Sequence, residues 1–272
     1  MSEVPGLARS IITLTTDFGS TDPFVGIMKG VILGINPEVD LVDLCHDIRP
    51  FDVMEAAYLI GQAYRYFPPR TIHLVLVDPG VGSARRPLLV SADRYLFLAP
   101  DNGVLSVVYS KEESLYVRHI TAGHYFLEPV SNTFHGRDVF APVAGWLSRH
   151  VESTKFGELV TDYARFALPQ PQRVNDKIVK AVVVRVDHFG TLMTNLTPAD
   201  LPELFRENPA PFKMLVGKGE ITQLKNAYAD GAQGELFAIL GSSGYIEIAQ
   251  NRGSASQALG AGRGVEVAVT LQ

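Results

Sequence analysis

The chain contains a single cysteine, Cys45, which excludes an internal disulfide and a zinc site built from several cysteines. Long apolar runs are also missing, since no stretch approaches the roughly 18 to 20 residues that a membrane span requires. The first ten residues lack the apolar segment of a secretion signal. We therefore expect a soluble, cytoplasmic protein.

Clustered positive charge is scarce as well. The net charge is −5 and the longest basic run is Arg85-Arg86, whereas nucleic-acid binding depends on groups of side chains that neutralise phosphates. Hydrophobic residues make up 46% of the 272 positions, which suffices for a packed core in one large domain or two ordinary ones. No nucleic-acid or membrane partner is expected.

The first half of the chain alternates strand-like and helix-like segments. In order along the chain, strand, helix, strand, helix and strand are predicted over 11–16, 24–35, 39–45, 52–67 and 71–77. Asp52, with Glu55 three residues later, has the pattern of a helix capping box. The β-α-β-α-β order predicts an α/β domain with a largely parallel sheet covered by helices. Ligands of such sheets lie beyond the carboxyl ends of the strands, where Asp17 and Asp78 occur.

A change in composition after residue 166 indicates a second domain. The segment "ALPQPQRVN" (167–175) has two prolines and two glutamines and is predicted to be a linker between domains 1–166 and 176–272. Beyond it, short β-rich runs separated by glycines predict an all-β, antiparallel, barrel-like domain. These runs are 178–187, 212–216, 235–240, 244–249 and 264–270.

The stretch "IHLVLVDPGVGSARRPLLV" (72–90) places Asp78 and Arg85 on either side of a glycine-rich turn. Folding back of the turn would let the arginine stabilise the charged carboxylate, and glycines permit close approach of a ligand. A surface ion pair explains the two charges equally well. His135, in the polar turn "NTFHGRD", could relay protons near neutral pH, although a solvated loop histidine would look the same.

Other polar residues have both functional and structural explanations. Asp17 could accept hydrogen bonds from a ribose diol, or it could cap the turn that follows it. Cys45, His46 and Asp47 are adjacent on a strand, so their side chains alternate between faces and make a poor metal site. Metal-ligand and Walker spacings are absent from the sequence.

The second domain offers a further set of candidates. Asp187 could bind an ammonium group and Phe189 could stack on a base, while Ser242 and Ser243 precede a strand. The alternative is two ordinary hairpins with Phe189 in the core. The residues by themselves predict a two-domain protein that binds a polar small molecule, with a nucleoside as one candidate.

Seven motifs, in order along the chain, resemble those of the S-adenosylmethionine hydrolases. This family, also called the SAM hydroxide adenosyltransferases, contains the water-using relatives of fluorinase and chlorinase. The resemblance runs from about residue 11 to the end of the chain. Its motifs are "TLTTDFGSTDPFVGIMKGVI", "DLCHDIRPFDVMEAA", "VDPGVGSARRPL", "APDNGVLS", "FHGRDVFAPVA", "VDHFGTLMTN" and "SSGYIEIAQN".

The resemblance implies that S-adenosyl-L-methionine and water give adenosine and L-methionine. Water or hydroxide would attack the ribose C5′ in line, assisted by Asp78, Arg85 and His135, with the general base open between Asp78 and His135. Methionine leaves a sulfonium as a neutral thioether without acid assistance, so no metal or other cofactor is expected.

The resemblance also implies a set of binding residues. Asp17, with Asp22 nearby, would hold the ribose hydroxyls. Asp187 and Ser242 would hold the methionine amino and carboxylate groups, and Phe189 would flank the adenine. Two positions differ from related proteins: Thr191 stands where the family usually has asparagine, and Ser243 where the halogenating relatives have arginine.

Assembly is a further implication. Members of the family are homotrimers, with the substrate between the N-terminal domain of one subunit and the C-terminal domain of the next.

Three rival functions remain. The halogenating relatives have an aromatic residue at the position of Asp78 and a small hydroxyl residue near Gly136, and a carboxylate would repel an incoming halide. Halogenation is therefore less favoured than hydrolysis. A non-catalytic trimer that binds S-adenosylmethionine or adenosine would not need the Asp78, Arg85 and His135 set. A metal-dependent phosphoesterase is least favoured, because ligand spacing is absent.

Overall fold

The structure, a computed structural model, describes residues 9–272. Residues 1–8, and with them most of the segment in which we expected no secretion signal, lie outside the described residues. The chain forms two compact units, the first ending at Ala167 and the second spanning Leu168–Gln272. The domain limits predicted from the sequence, 1–166 and 176–272, stay a prediction. Along residues 9–272 no helix is both long and apolar enough to cross a membrane.

The first unit is a sheet with helices on both faces. Its strands are β1 (Ile11–Thr16), β2 (Asp40–Cys45), β3 (Ile72–Leu76), β4 (Pro87–Ala92), β5 (Leu96–Pro100) and β6 (Leu115–His119). Its helices are α1 (Phe24–Ile35), α2 (Val53–Ala63), α3 (Ser106–Lys111) and α4 (Ala141–Ser148). Alternate strand residues face different helices: Leu74 packs in one buried cluster with α1 and α4, and Val75 packs in another with α2.

Sequence signals explain the helices that flank the candidate site. Helix α1 has the bounds that its apolar spacing predicts and buries Val25, Met28 and Ile32. The Asp52 side chain caps α2 by accepting a hydrogen bond from the Glu55 backbone N–H at 2.9 Å, as the capping pattern predicts. Helix α2 is shorter than expected, because its last predicted turn tightens into a 3₁₀ turn over Tyr64–Tyr66.

The sheet is mixed rather than wholly parallel. Its strand order is β2-β1-β3-β5-β4-β6, and only β4 runs opposite to its neighbours. Because β4 is reversed, it begins at the edge where β1 and β3 end. That edge therefore collects Asp17 after β1, Asp78 after β3, and Arg85 just before β4.

The second unit is a curled sheet rich in antiparallel pairs. Its strands are β7 (Gln172–Arg173), β8 (Ile178–Val186), β9 (Leu192–Thr194), β10 (Phe212–Val216), β11 (Gly219–Ile221), β12 (Leu224–Lys225), β13 (Leu236–Leu240), β14 (Ile246–Gln250) and β15 (Glu266–Leu271). One short helix, α5 (Ala255–Leu259), follows β14. The strand order is β11-β10-β15-β8-β9-β14-β13-β12, with β7 paired to β8.

The curl of this sheet follows from its core. Strands β11 and β13 lie near opposite ends of the strand order, yet Ile221 and Ala238 belong to the same buried cluster. The sheet therefore bends around its apolar residues into a half-barrel. Within 167–175, expected to be a linker, Gln172–Arg173 pair with β8 in antiparallel orientation.

Candidate active site

A tight loop joins β3 to β4 and carries the carboxylate of Asp78 and the guanidinium of Arg85. Gly82 lies in the left-handed region at φ +76°, and a Cβ at this position would collide with the Asn132 carbonyl oxygen. Both facts require glycine. The loop is anchored before Asp78, because the Asn102 side-chain amide donates to the Val77 carbonyl at 2.8 Å.

Asp78 and Arg85 form a two-pronged ion pair inside this loop. The Arg85 Nε donates to Asp78 Oδ1 at 3.0 Å, and its Nη2 donates to Oδ2. The Asp78 side chain is only 10% exposed and the Arg85 side chain 8%. The guanidinium lies over the Phe140 ring, 5.5 Å from its centroid. The pair is therefore buried, which distinguishes it from the exposed surface pair considered as the alternative.

His135 completes the cluster from the loop that precedes α4. Its Nδ1 lies 2.9 Å from Arg85 Nη2. A guanidinium only donates hydrogen bonds, so Nδ1 accepts, and the proton of the neutral ring resides on Nε2. Burial lowers the pKa of His135, and the Arg85 charge lowers it further, while Asp78 and Asp138 partly offset both. The neutral form of His135 is favoured at neutral pH.

Asp138 fixes the backbone around His135. Its carboxylate accepts hydrogen bonds from Arg137 Nε at 2.6 Å and from the Ser131 backbone N–H at 2.8 Å. Burial would raise the pKa of Asp138, but these hydrogen bonds outweigh burial and lower it. The charged carboxylate holds the 131–138 loop closed on itself, with His135 inside it.

One donor in the cluster has no protein partner. Arg85 Nη1 is buried and makes no hydrogen bond within the described residues. A buried donor left without a partner costs stability, so it marks a position where a water molecule or a substrate oxygen can bind. The cluster thus combines a charged acceptor, a neutral imidazole and a free donor.

Asp17 lies at the same edge of the sheet and accepts a hydrogen bond from the Phe51 backbone N–H at 2.7 Å. Sequence reasoning missed Phe51, whose side chain is 72% exposed and whose φ is +67°. A left-handed, exposed phenylalanine is unusual, and no sequence pattern identifies it. Asp22 is exposed.

The Cys45, His46 and Asp47 run does not form a metal site. Within residues 9–272, no group of three or more His, Cys, Asp or Glu side chains is arranged to hold a metal ion. His46 instead makes hydrogen bonds to Thr16 and Asp43.

The candidate residues of the second unit cluster in the turn between β8 and β9. Asp187 Oδ1 accepts hydrogen bonds from the backbone N–H groups of Phe189 at 2.9 Å and Thr191 at 2.8 Å. Phe189 is 75% exposed, so the interpretation as a core residue is wrong, and its ring is free to stack on a ligand. Thr191 is buried at 8% exposure.

The serines and one further acid lie near this turn. Ser242 is exposed, and the Ser243 hydroxyl lies 3.9 Å from the Met193 sulfur. Glu247, which sequence reasoning missed, accepts a hydrogen bond from the Tyr228 hydroxyl at 3.2 Å. Burial raises the pKa of Glu247, and the Asp187 charge adds to the rise, against the effects of Tyr228 and Arg185. Two carboxylates therefore share this surface of the second unit.

Comparisons with known proteins identify relatives over both units. Family models for the SAM hydroxide adenosyltransferase N-terminal and C-terminal domains match residues 12–157 and 181–268. An (R)-S-adenosyl-L-methionine hydrolase from Salinispora tropica is 33% identical, covering 95% of this chain and 97% of its own. A fluorinase from Actinoplanes sp. is 27% identical, covering 98% and 99%. The crystal structure of an uncharacterized conserved protein from Thermotoga maritima superposes with a TM-score of 0.89 at 35% identity, covering 95% and 99%.

Proposed function

The chain belongs to the SAM hydroxide adenosyltransferase family and hydrolyses S-adenosyl-L-methionine to adenosine and L-methionine, and we propose that Asp78, Arg85 and His135 carry this reaction. The observation behind the assignment is the buried cluster in which Arg85 bridges the other two side chains and keeps Nη1 free. The lone pairs of Asp78 that Arg85 leaves unused would hold the attacking water, and the free Nη1, on the other side of the guanidinium, would bind a second water or a substrate oxygen.

The reaction itself is a substitution at carbon. A bond forms between the water oxygen and ribose C5′ while the bond from C5′ to sulfur breaks. The sulfur keeps the electron pair and leaves as the neutral thioether of methionine, so the leaving group needs no proton. Catalysis then consists of positioning the water in line and removing its proton.

Asp78 is the better proton acceptor of the two candidates for general base. In His135 the Nδ1 lone pair is occupied by Arg85 and Nε2 carries the proton, so the imidazole has no free lone pair. Asp78 keeps unused lone pairs on both carboxylate oxygens. His135 would orient the water through its Nε2 proton.

A halide nucleophile fits this cluster poorly. Asp78 would place a negative charge next to the incoming anion, and Arg85 is already paired with that carboxylate. Water gains from the same charge because it must lose a proton.

Substrate binding is divided between the two units. Asp17, with Asp22, would hold the ribose hydroxyls. In the second unit, the proposed contacts with methionine and adenine come from Asp187, Phe189, Thr191, Ser242 and Ser243. The exposed ring of Phe189 supports stacking on adenine. Thr191 is buried, and its backbone N–H and carbonyl are both hydrogen-bonded to Asp187, so it would contribute to binding by holding the turn that presents Asp187 and Phe189.

Assembly and cofactor requirements extend the proposal. We propose a homotrimer in which the first unit of one subunit and the second unit of the next share each substrate, as the family resemblance implies.

The sulfonium is an activated leaving group, and no cofactor is required. Full activity after exhaustive dialysis against a chelator would agree with this, and loss of activity restored by a divalent ion would reject it.

The test of the reaction is turnover in oxygen-18 water containing chloride. Adenosine labelled in its 5′-hydroxyl is expected, because solvent oxygen forms the new bond to carbon. Unlabelled adenosine would reject attack at C5′ by solvent, and 5′-chloro-5′-deoxyadenosine would assign halogenation. Tight binding of S-adenosylmethionine without any product would assign the non-catalytic binding protein.

A further inference from the structure

A continuous row of hydrogen bonds runs from Lys29 to the backbone next to Asp17. The Lys29 ammonium donates to Asp43 Oδ2 at 2.6 Å, and Asp43 Oδ1 lies 2.9 Å from His46 Nε2. His46 Nδ1 then lies 2.8 Å from the Thr16 hydroxyl, which accepts the Phe18 backbone N–H at 3.2 Å. The row ends at the peptide that joins Asp17 to Phe18.

With His46 neutral, each hydrogen bond in this row has a single direction. The Asp43 carboxylate accepts from Lys29, and in its charged form it can only accept from His46 as well. The proton of a neutral His46 therefore resides on Nε2, and Nδ1 accepts the Thr16 hydroxyl proton. That leaves the Thr16 oxygen free to accept the Phe18 N–H. Each polar group of the row has one role.

The hydrogen bonds at the buried end of the row, between His46, Thr16 and Phe18, are shielded from water. Thr16 is completely buried, and the His46 side chain is 13% exposed, whereas Asp43 is 46% exposed. A buried hydroxyl that loses its partner has no water to replace it. The two inner bonds therefore restrict the loop after β1 more strongly than the outer ion pair does.

Two further bonds tie the same loop to the loop after β2. The Gly19 backbone N–H donates to the His46 carbonyl at 2.9 Å, and the Phe51 backbone N–H donates to Asp17 Oδ2 at 2.7 Å. His46 thus contacts the Asp17 loop through both its side chain and its backbone. The Asp17 carboxylate accepts the Phe51 N–H, and the backbone that follows Asp17 is held by Thr16 and His46.

We propose that His46 is a positioning residue that acts through Thr16 to hold the Asp17 carboxylate in the orientation that accepts both ribose hydroxyls. This role rests on the proposed function, in which Asp17 binds the ribose. The His46 ring bonds to Thr16 and Asp43 and not to Asp17, so its removal leaves the charge of Asp17 in place and loosens only its geometry. Bidentate recognition of a diol depends on that geometry.

The test compares S-adenosyl-L-methionine with its 2′-deoxyribose analogue, which offers a single ribose hydroxyl. The breaking variant is Thr16→Val, which has the same shape without the hydroxyl, and the retaining control is Thr16→Ser. For the wild type, kcat/KM should favour the ribose substrate. Thr16→Val should lower this preference about tenfold, mainly through a higher KM for the ribose substrate, the size expected for one weakened hydrogen bond to a charged group.

Because Thr16 is buried, its substitution could disturb folding, so a second variant breaks the row at Asp43, its exposed end. Asp43→Ala should lower the same preference by a smaller factor. The control Asp40→Ala, on the same strand but paired with Arg9 instead of with this row, should not. Thr16→Ser should keep the wild-type preference. A merely structural role predicts that Thr16→Val lowers kcat/KM equally for both substrates, and that result would overturn the proposal.

Asp17→Asn separates this inference from the proposed function. If Asp17→Asn lowers the ribose preference while Thr16→Val and Asp43→Ala do not, the positioning role of His46 is rejected and the role of Asp17 stands. If Asp17→Asn leaves the preference unchanged, Asp17 does not read the ribose, and the positioning role is rejected with it.

Discussion

Asp78 is held by two nitrogens of one arginine, and its charge is the property on which the proposed chemistry depends. Asp78→Asn keeps the volume of the side chain but removes the charged proton acceptor. We expect kcat to fall by about 10² to 10⁴-fold, the range for loss of a general base, with a smaller change in KM. Measuring adenosine release under saturating substrate checks this.

The control for this substitution is Asp93→Asn, at an exposed position between β4 and β5. It should leave kcat unchanged. An Asp78→Asn protein with kcat near that of the wild type would remove Asp78 from the mechanism and return the base to His135.

His73, within β3, couples the stability of the first unit to pH. Its ring is fully buried, stacks on Phe97 with 5.1 Å between centroids, and pairs with the Thr13 hydroxyl through Nδ1 at 2.8 Å. Burial lowers the pKa of His73 to about 3. The folded state thus keeps His73 neutral while the unfolded state binds a proton below the ordinary value of about 6.5.

Because of this difference, acid destabilises the first unit. Between about pH 6.5 and pH 3 the unfolded chain binds one more proton at this site, so the free energy of unfolding falls by about 1.4 kcal/mol for each unit of acidification. His73→Phe should reduce the pH slope by that amount, measured by urea unfolding between about pH 6 and pH 4.5. His124→Phe, at an exposed position, should keep the wild-type slope. A wild-type slope in His73→Phe would contradict the prediction.

Individual residues were predictable where chemistry and turn pattern coincide. Asp78 and Arg85 could be paired from the sequence because a glycine turn separates them by seven positions. His46 and His73 could not, because their partners Thr16 and Thr13 lie 30 and 60 residues away. Alternation along a strand gives the face of a residue but not its cross-strand neighbour.

At the scale of elements, the β3–β4 loop depends on one glycine. Gly82→Ala introduces a Cβ where φ is +76° and where the Asn132 carbonyl oxygen lies. The loop must move, and with it the Asp78–Arg85 pair. We expect kcat/KM to fall by at least about tenfold, since small displacements at a reacting centre have large effects on rate.

The matched control is Gly26→Ala, in helix α1, where nothing lies within 4 Å of an added Cβ. Alanine is a better helix former than glycine, so this variant should keep activity and unfold at the same or a higher temperature. Equal activity of the Gly82→Ala and Gly26→Ala proteins would show that the loop tolerates rearrangement.

Elements with strong local signals were predictable. Helix α1 and strand β1 have the bounds that their apolar patterns predict, and Asp52 caps α2. The reversal of β4 was not predicted, because an apolar run carries no direction. The direction is set by the antiparallel pairing of β4 with β5, which follows it after a short turn, and with β6 farther along the chain.

For the whole molecule, the proposed trimer makes a complementation prediction. If each site takes Asp78 from one subunit and Asp187 from the next, Asp78→Asn and Asp187→Asn are each inactive as pure trimers. Co-expression should recover about a quarter of wild-type activity, because random closed trimers rebuild one intact interface in four. Turnover of purified mixed trimers checks this.

The control pairs Asp78→Asn with His135→Gln, which both alter the first unit and cannot restore a shared site. That mixture should stay inactive. Activity that persists in a verified monomer of the wild-type protein, or no recovery on mixing, would reject the shared site.

The two-unit organisation could be anticipated from composition, but the curvature of the second sheet could not. Short runs with glycines between them predict antiparallel strands. The half-barrel depends on Ile221 and Ala238 meeting in one core, and strands of two to five residues such as β12 and β13 do not specify their partners. Long-range contacts decide that curvature.

The reversed direction of β4 has a thermodynamic consequence. Because β4 starts where β3 ends, the acid and the guanidinium lie only seven positions apart in one loop instead of on either side of a full crossover connection. The chain entropy lost on closing a loop grows with its length, so bringing these two charges together is inexpensive in entropy. The ion pair can therefore stay assembled between turnovers, and substrate binding need not reorganise it.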